Sequence, residues 1–113
     1  MGLDLTIRTQ TNFTTNEKGQ DTWTVTCIGN LRNCWNILEE MQNYSELQNC
    51  TTVSLEGRHF HKILEDLTDE VKELEDGDHK ADLEYELGRL QDLIKENNIE
   101  DNDMESYEVH AWF

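Results

Sequence analysis

Residues 54–75 read SLEGRHFHKILEDLTDEVKELE. Phe60, Ile63, Leu64, Leu67, Val71 and Leu74 recur there at intervals of three and four, so an α-helix would gather them on one apolar stripe. Ser54 offers an N-cap, and the stripe runs to about Glu75. Asp76, Gly77 and Asp78 then supply a turn. Beyond it Leu83, Leu87, Leu90, Leu93 and Ile94 form a second stripe that ends near Asn97. Two helices of similar length joined by so short a turn are expected to pack antiparallel.

Outside this hairpin the apolar period changes to two. Leu3, Leu5 and Ile7 alternate with Asp4, Thr6 and Arg8, the pattern of a strand with one buried face. TWTVTCI (22–28) repeats it, setting Trp23, Val25 and Cys27 against Thr22, Thr24 and Thr26. NEKG (16–19) lies between the two runs, with Gly19 free to adopt a left-handed conformation, so they are expected to form a hairpin. SYEVHAWF (106–113) gives a third strand, with Tyr107, Val109, Ala111 and Phe113 on one side. LRNCWNILEEM (31–41) places Leu31, Cys34, Trp35, Leu38 and Met41 on the stripe of a short amphipathic helix. The polar stretch NYSELQNCTT (43–52) reads as a connection. The expected order is therefore ββαααβ: one α+β domain in which a small antiparallel sheet carries the amphipathic helix and the acidic hairpin on one face.

Charge narrows the function classes. The 113 residues hold 25 acids against 9 Lys and Arg, a formal net charge of −16. Such a field repels nucleic acid and anionic membrane and favours a basic partner. It is also unevenly placed: 17 acids fall between Glu65 and Glu105, but only 6 in the first 50 residues, so the field belongs to the hairpin and the segment after it. MGLDLTIRTQ lacks a basic start followed by a long apolar run, and no segment approaches the ~20 apolar residues of a membrane span. Three cysteines at irregular spacing do not make a disulfide framework, which suits a reducing cytoplasm.

No P-loop, GxSxG, HExxH or glycine-rich phosphate cradle occurs, so the chain is not expected to be an enzyme. IEDNDMESYE (99–108) alternates Asp101, Asp103 and Glu105 as a calcium loop does, but the sixth loop position lacks glycine and the twelfth is Trp112. It reads as a solvated acidic loop. A zinc site is the more serious alternative, although no CxxC or HxxxH pair is present. His59 and His61 lie roughly 100° to either side of Phe60 around a helix, so they cannot both enter one site. Asp4 and His110 share the strand face opposite Leu3 and Val109. A zinc would therefore take Asp4, His110 and one of His59 or His61; otherwise each histidine is a half-exposed boundary residue.

The acids carry a different expectation. Carboxylates spaced along a helical hairpin can imitate the phosphates of a nucleic acid and occupy a basic groove. The set chosen on spacing comprises Asp66, Asp69, Glu70, Glu73, Asp76 and Asp78, followed by Asp82, Glu86 and Asp92. The plainer alternative is a solvated face that keeps a small protein in solution.

In order along the chain, MGLD, LRNCWNILEEM, TVSLEGRHFHKILEDL, DLEYELGRLQDLIKE and YEVHAWF resemble a family of small phage and prophage proteins. Members begin Met-Gly-Leu-Asp on a first strand and continue through a short helix and a Leu-rich acidic hairpin to an aromatic strand. The chain departs from them by lacking the Trp-Arg-Lys and Ile-His-Lys-Trp segments of their first helix. The resemblance implies a phage context and, by likeness in kind, an anti-CRISPR or anti-restriction inhibitor acting in the host cytoplasm. Its partner would be a basic nuclease, such as the RNA-guided effector of a type II CRISPR system; some such inhibitors bind metal.

Overall fold

The structure, a computed structural model, describes residues 2–15, 17–19 and 21–113, with side chains described outside 10–15 and 21–25. The elements run β1 (Asp4–Thr15), β2 (Asp21–Asn30), α1 (Trp35–Met41), β3 (Thr52–Glu56), α2 (Gly57–Glu73), α3 (Asp78–Glu96) and β4 (Ser106–Trp112). It is an α+β fold with a four-stranded antiparallel sheet in the order β2-β1-β4-β3. The C-terminal strand thus lies inside the sheet, where Leu5 faces Ala111 and Ile7 faces Val109.

β3 is an addition to the expected elements. It occupies the end of the supposed connection and the supposed cap, pairing Val53 with Val109 and Leu55 with Tyr107. Only Leu55 of its five residues is fully buried, too short a pattern to stand out from polar surroundings. Ser54 is therefore a strand residue, and Glu56 caps α2 instead. The Glu56 carboxylate accepts from the His59 backbone N–H, while the Glu56 N–H donates to His59 Nδ1 at 3.1 Å, a reciprocal capping box.

β1 and β2 are longer than the alternating patterns implied. β4 pairs with β1 only from Asp4 to Arg8, so the remainder of β1 runs on with β2 as a two-stranded ribbon. Gly19 takes the left-handed conformation expected of the turn, with φ 76°. The supposed burial of Trp23 and Val25 lies outside the described side chains, as does Asn16 of the turn. Cys27 is exposed rather than buried. Ile7 pairs with Gly29 but Arg8 with Cys27, so Ile28 is an extra residue whose bulge turns Cys27 to the face opposite Ile7.

α2 and α3 form the expected antiparallel hairpin. Phe60, Ile63 and Leu67 from one helix, and Leu83, Leu87, Leu90, Leu93 and Ile94 from the other, join Leu3, Leu5, Ile7, Val109 and Ala111 in one core. Phe60 is wholly buried and meets Tyr107 edge to face at 5.6 Å. Burying such a ring contributes about 2 kcal/mol. α3 packs so closely on β2 that a Cβ at Gly29 would collide with Leu93, and Arg89 Nη2 donates to the Asn30 carbonyl at 2.7 Å. Among the described residues no helix is long and apolar enough to cross a membrane.

α1 begins four residues later than expected. Leu31 and Cys34 are buried ahead of it, whereas Trp35, placed on the apolar stripe by its spacing, is 45% exposed. Ile37, Leu38 and Met41 define the buried direction of α1. At about 100° per residue Trp35 points roughly 110° away from it.

Candidate functional site

The hairpin lays out most of the selected acids as the spacing implied. Asp69, Glu70, Glu73, Asp76, Asp78, Asp82 and Asp92 are exposed and Asp66 is half-buried. Asp66, Asp69, Glu70 and Glu73 recur at three- and four-residue steps of α2, which places them as neighbours on one helix surface. Some are partly neutralised: Lys62 lies 3.2 Å from Asp66, Lys72 4.0 Å from Asp69 and Lys80 3.3 Å from Asp76. His79 approaches Glu70 at 3.9 Å. Exposed pairs of this kind add little stability. Among the described residues Glu73, Asp78, Asp82 and Asp92 enter no ion pair.

Repulsion is concentrated where α1 meets α2. Partial burial and then the Asp66 charge hold the Glu40 carboxyl above its ordinary range; Glu70 and Glu39 add to this, and the hydrogen bond from Asn43 opposes it. The Tyr44 phenol is raised too, by burial and then by Asp66. A cation brought to this junction would relieve the strain among the carboxylates.

Glu86 does not belong to the exposed set. It is only 2% exposed and works as a cap for another helix. Its Oε1 accepts the backbone N–H groups of Asn36 at 2.9 Å and Ile37 at 3.1 Å, and its Oε2 accepts Asn36 Nδ2. These donors have no carbonyl partners at the start of α1, and a carboxylate at that end also suits the helix dipole. The carboxylate is thus committed inside the fold.

The acidic loop is likewise partly structural. Its Asp103 is half-buried, accepts the Tyr107 hydroxyl through Oδ2 at 2.8 Å, and accepts the Glu105 N–H through Oδ1 at 2.8 Å. The Asp103 and Glu105 carbonyls accept the N–H groups of Arg58 and Gly57, at 2.7 and 3.1 Å. Burial and then the hydrogen bond and charge of Asp103 push the Tyr107 phenol well above its usual range.

Of the four residues chosen as zinc ligands, the three histidines are each engaged with a different neighbour. His59 accepts from Glu56 and stacks on Tyr44 at 5.0 Å, whereas His61 Nε2 donates to the Ile99 carbonyl at 2.6 Å. The two therefore leave α2 toward different neighbours. His110 Nδ1 lies 2.8 Å from Thr52 Oγ1, and it pairs with Thr6 while Asp4 pairs with Trp112, so Asp4 and His110 share the sheet face turned from the core. Neither α2 histidine joins them there. Among the described residues no three His, Cys, Asp or Glu side chains come together as a metal site requires.

Two aromatic residues absent from the spacing-based set stand out. Trp35 and Tyr85, 45% and 52% exposed, line one recess of about 310 Å³ with Asn33, Asn36, Asp82 and Glu86. Trp35 also meets Phe113 edge to face at 5.4 Å. For Tyr85 the sequence carried a signal: it falls between the core positions Leu83 and Leu87, off their stripe.

No protein-family model matches the chain, and no curated protein or solved structure matches it.

Proposed function

We propose that the chain is a non-catalytic inhibitor whose acidic hairpin binds the basic, nucleic-acid-binding surface of a nuclease. The class of partner best suited to it is the RNA-guided effector of a type II CRISPR system, in keeping with the resemblance to small phage proteins. The carrying observation is the row Asp66, Asp69, Glu70 and Glu73 along one surface of α2, exposed at all but Asp66. Those four carboxylates span about 10 Å of helix axis, or one per ~3.5 Å, close to the ~3.4 Å per phosphate along one strand of a DNA duplex. Mostly exposed, and with Glu73 in no ion pair among the described residues, these like charges favour association with a basic groove and steer the approach.

The test is a pull-down of the effector by the intact chain, with and without guide RNA, at rising salt. Replacing Asp69, Glu70 and Glu73 together by Lys is expected to weaken capture by at least about tenfold, and salt should weaken the unaltered chain steeply. Capture indifferent to both would end the proposal.

A further inference from the structure

Resting on that reading of a basic protein partner, we infer that the recess between Trp35 and Tyr85 receives one arginine side chain of that partner. What marks the recess is its combination of groups. Singly exposed aromatics are ordinary on a protein surface, but here two face one concavity beside a carboxylate. Asp82 and Tyr85 are three residues apart on α3, hence on one helix surface, and Glu86 follows Asp82 by four. Asp82 is exposed and enters no ion pair among the described residues.

The chemistry matches a guanidinium better than an ammonium or a neutral group. A guanidinium is planar and weakly hydrated, so it can lie against aromatic rings while its N–H groups donate to a carboxylate at the ring edge. Trp35 and Tyr85 supply rings, Asp82 the exposed carboxylate, and Glu86 a second negative charge beneath. Glu86 receives only neutral N–H donors and has no cation within ion-pair distance among the described residues. Its field is felt nearby: the Cys34 thiol is pushed up to about 12 by burial and then by Glu86, with Arg89 opposing. The volume of about 310 Å³ stands at the lower end of the ~300–1,000 Å³ of small-molecule sites, a size for one side chain. Phe113 packs edge-on against Trp35, so the ring is positioned before any partner arrives.

The experiment is an NMR titration of the isotopically labelled chain with Nα-acetyl-arginine amide, following the Trp35 indole N–H and the backbone amides of residues 82–86. Trp35→Leu assigns the indole signal. Saturable shifts at these positions are expected, weakened about fivefold by Asp82→Asn and lost in Trp35→Leu. Both side chains are exposed, so apart from Phe113, which loses its ring contact in Trp35→Leu, the variants should keep the chain's spectrum elsewhere. Shifts confined to Asp69, Glu70 and Glu73, or equal binding of Nα-acetyl-lysine amide, would overturn the assignment. Effector binding separates the two proposals. Capture lost by the Asp69/Glu70/Glu73 variant but unchanged by Trp35→Leu and Asp82→Asn would overturn the pocket and leave the acidic-hairpin reading. Saturable arginine binding with no effector capture would support the pocket and end the nuclease reading.

Discussion

Glu86 shows how one residue's chemistry depends on the stripe it occupies. It lies three residues after Leu83 and four before Leu90, so the period that buries those leucines buries Glu86 with them. An acid placed there must be satisfied internally, and the open N–H groups at the start of α1 satisfy it. Glu86→Ala would leave two backbone donors at the start of α1 without their carboxylate acceptor. The expected loss is about 2 kcal/mol, read as a lower urea midpoint at unchanged slope; Glu86→Gln, keeping an acceptor oxygen, should lose less. A loss below about 0.5 kcal/mol in the alanine variant would show that the cap is dispensable. The burial of Glu86 was legible in the apolar period and was hidden by reading all the acids as one outward-facing set. Trp35 is the converse: its spacing fitted a stripe, but the helix begins at Trp35 itself, so Leu31 and Cys34 impose no helical phase on it.

At the scale of elements, local periodicity located what is long and amphipathic. The two strands of the first hairpin, the acidic helices and the closing strand were legible because each repeats its apolar period several times. β3 was not, since a five-residue strand with one fully buried side chain takes its identity from pairing with β4, a contact remote in sequence. The same holds for the seating of the acidic loop on the start of α2. Gly57 has no room for a side chain: an added Cβ would stand 2.7 Å from Asp103 Cβ and Oδ2. Gly57→Ala must therefore push the loop away, straining the Tyr107–Asp103 bond and the two carbonyls that receive the first α2 donors. Overpacking of this kind is expected to cost about 1–3 kcal/mol, more than the helix propensity of alanine returns. Thermal unfolding and hydrogen exchange at Gly57 and Arg58 check it; a more stable variant would mean that the loop yields freely.

For the whole molecule the dominant quantity is charge, with a formal value of −16 held largely by one half of the chain. Charge and hairpin were visible in the sequence, whereas the repulsive junction of α1 with α2 was not, because Glu40 and Asp66 meet only through the fold. Glu40 is the residue through which this repulsion can be read. Its folded-state pKa lies above the ordinary 4.5, through partial burial first and the Asp66 charge second. A carboxyl raised in this way binds its proton more tightly in the folded chain than in the unfolded one. Its ionisation is consequently a penalty that is complete above the folded pKa, shrinks as pH falls, and disappears below about 4.5. Glu40→Gln removes the penalty at neutral pH and changes nothing where Glu40 is already protonated. Because the side chain is only half-buried, solvent screening limits the expected gain to about 0.3 kcal/mol at pH 7. Denaturant melts of both chains from pH 7 to 4 at low salt should show curves that converge on acidification, and at 0.5 M salt the neutral-pH gain should narrow. A gain that persists at pH 4 would mean that the introduced amide acts by packing or hydrogen bonding, with the carboxylate charge playing no part.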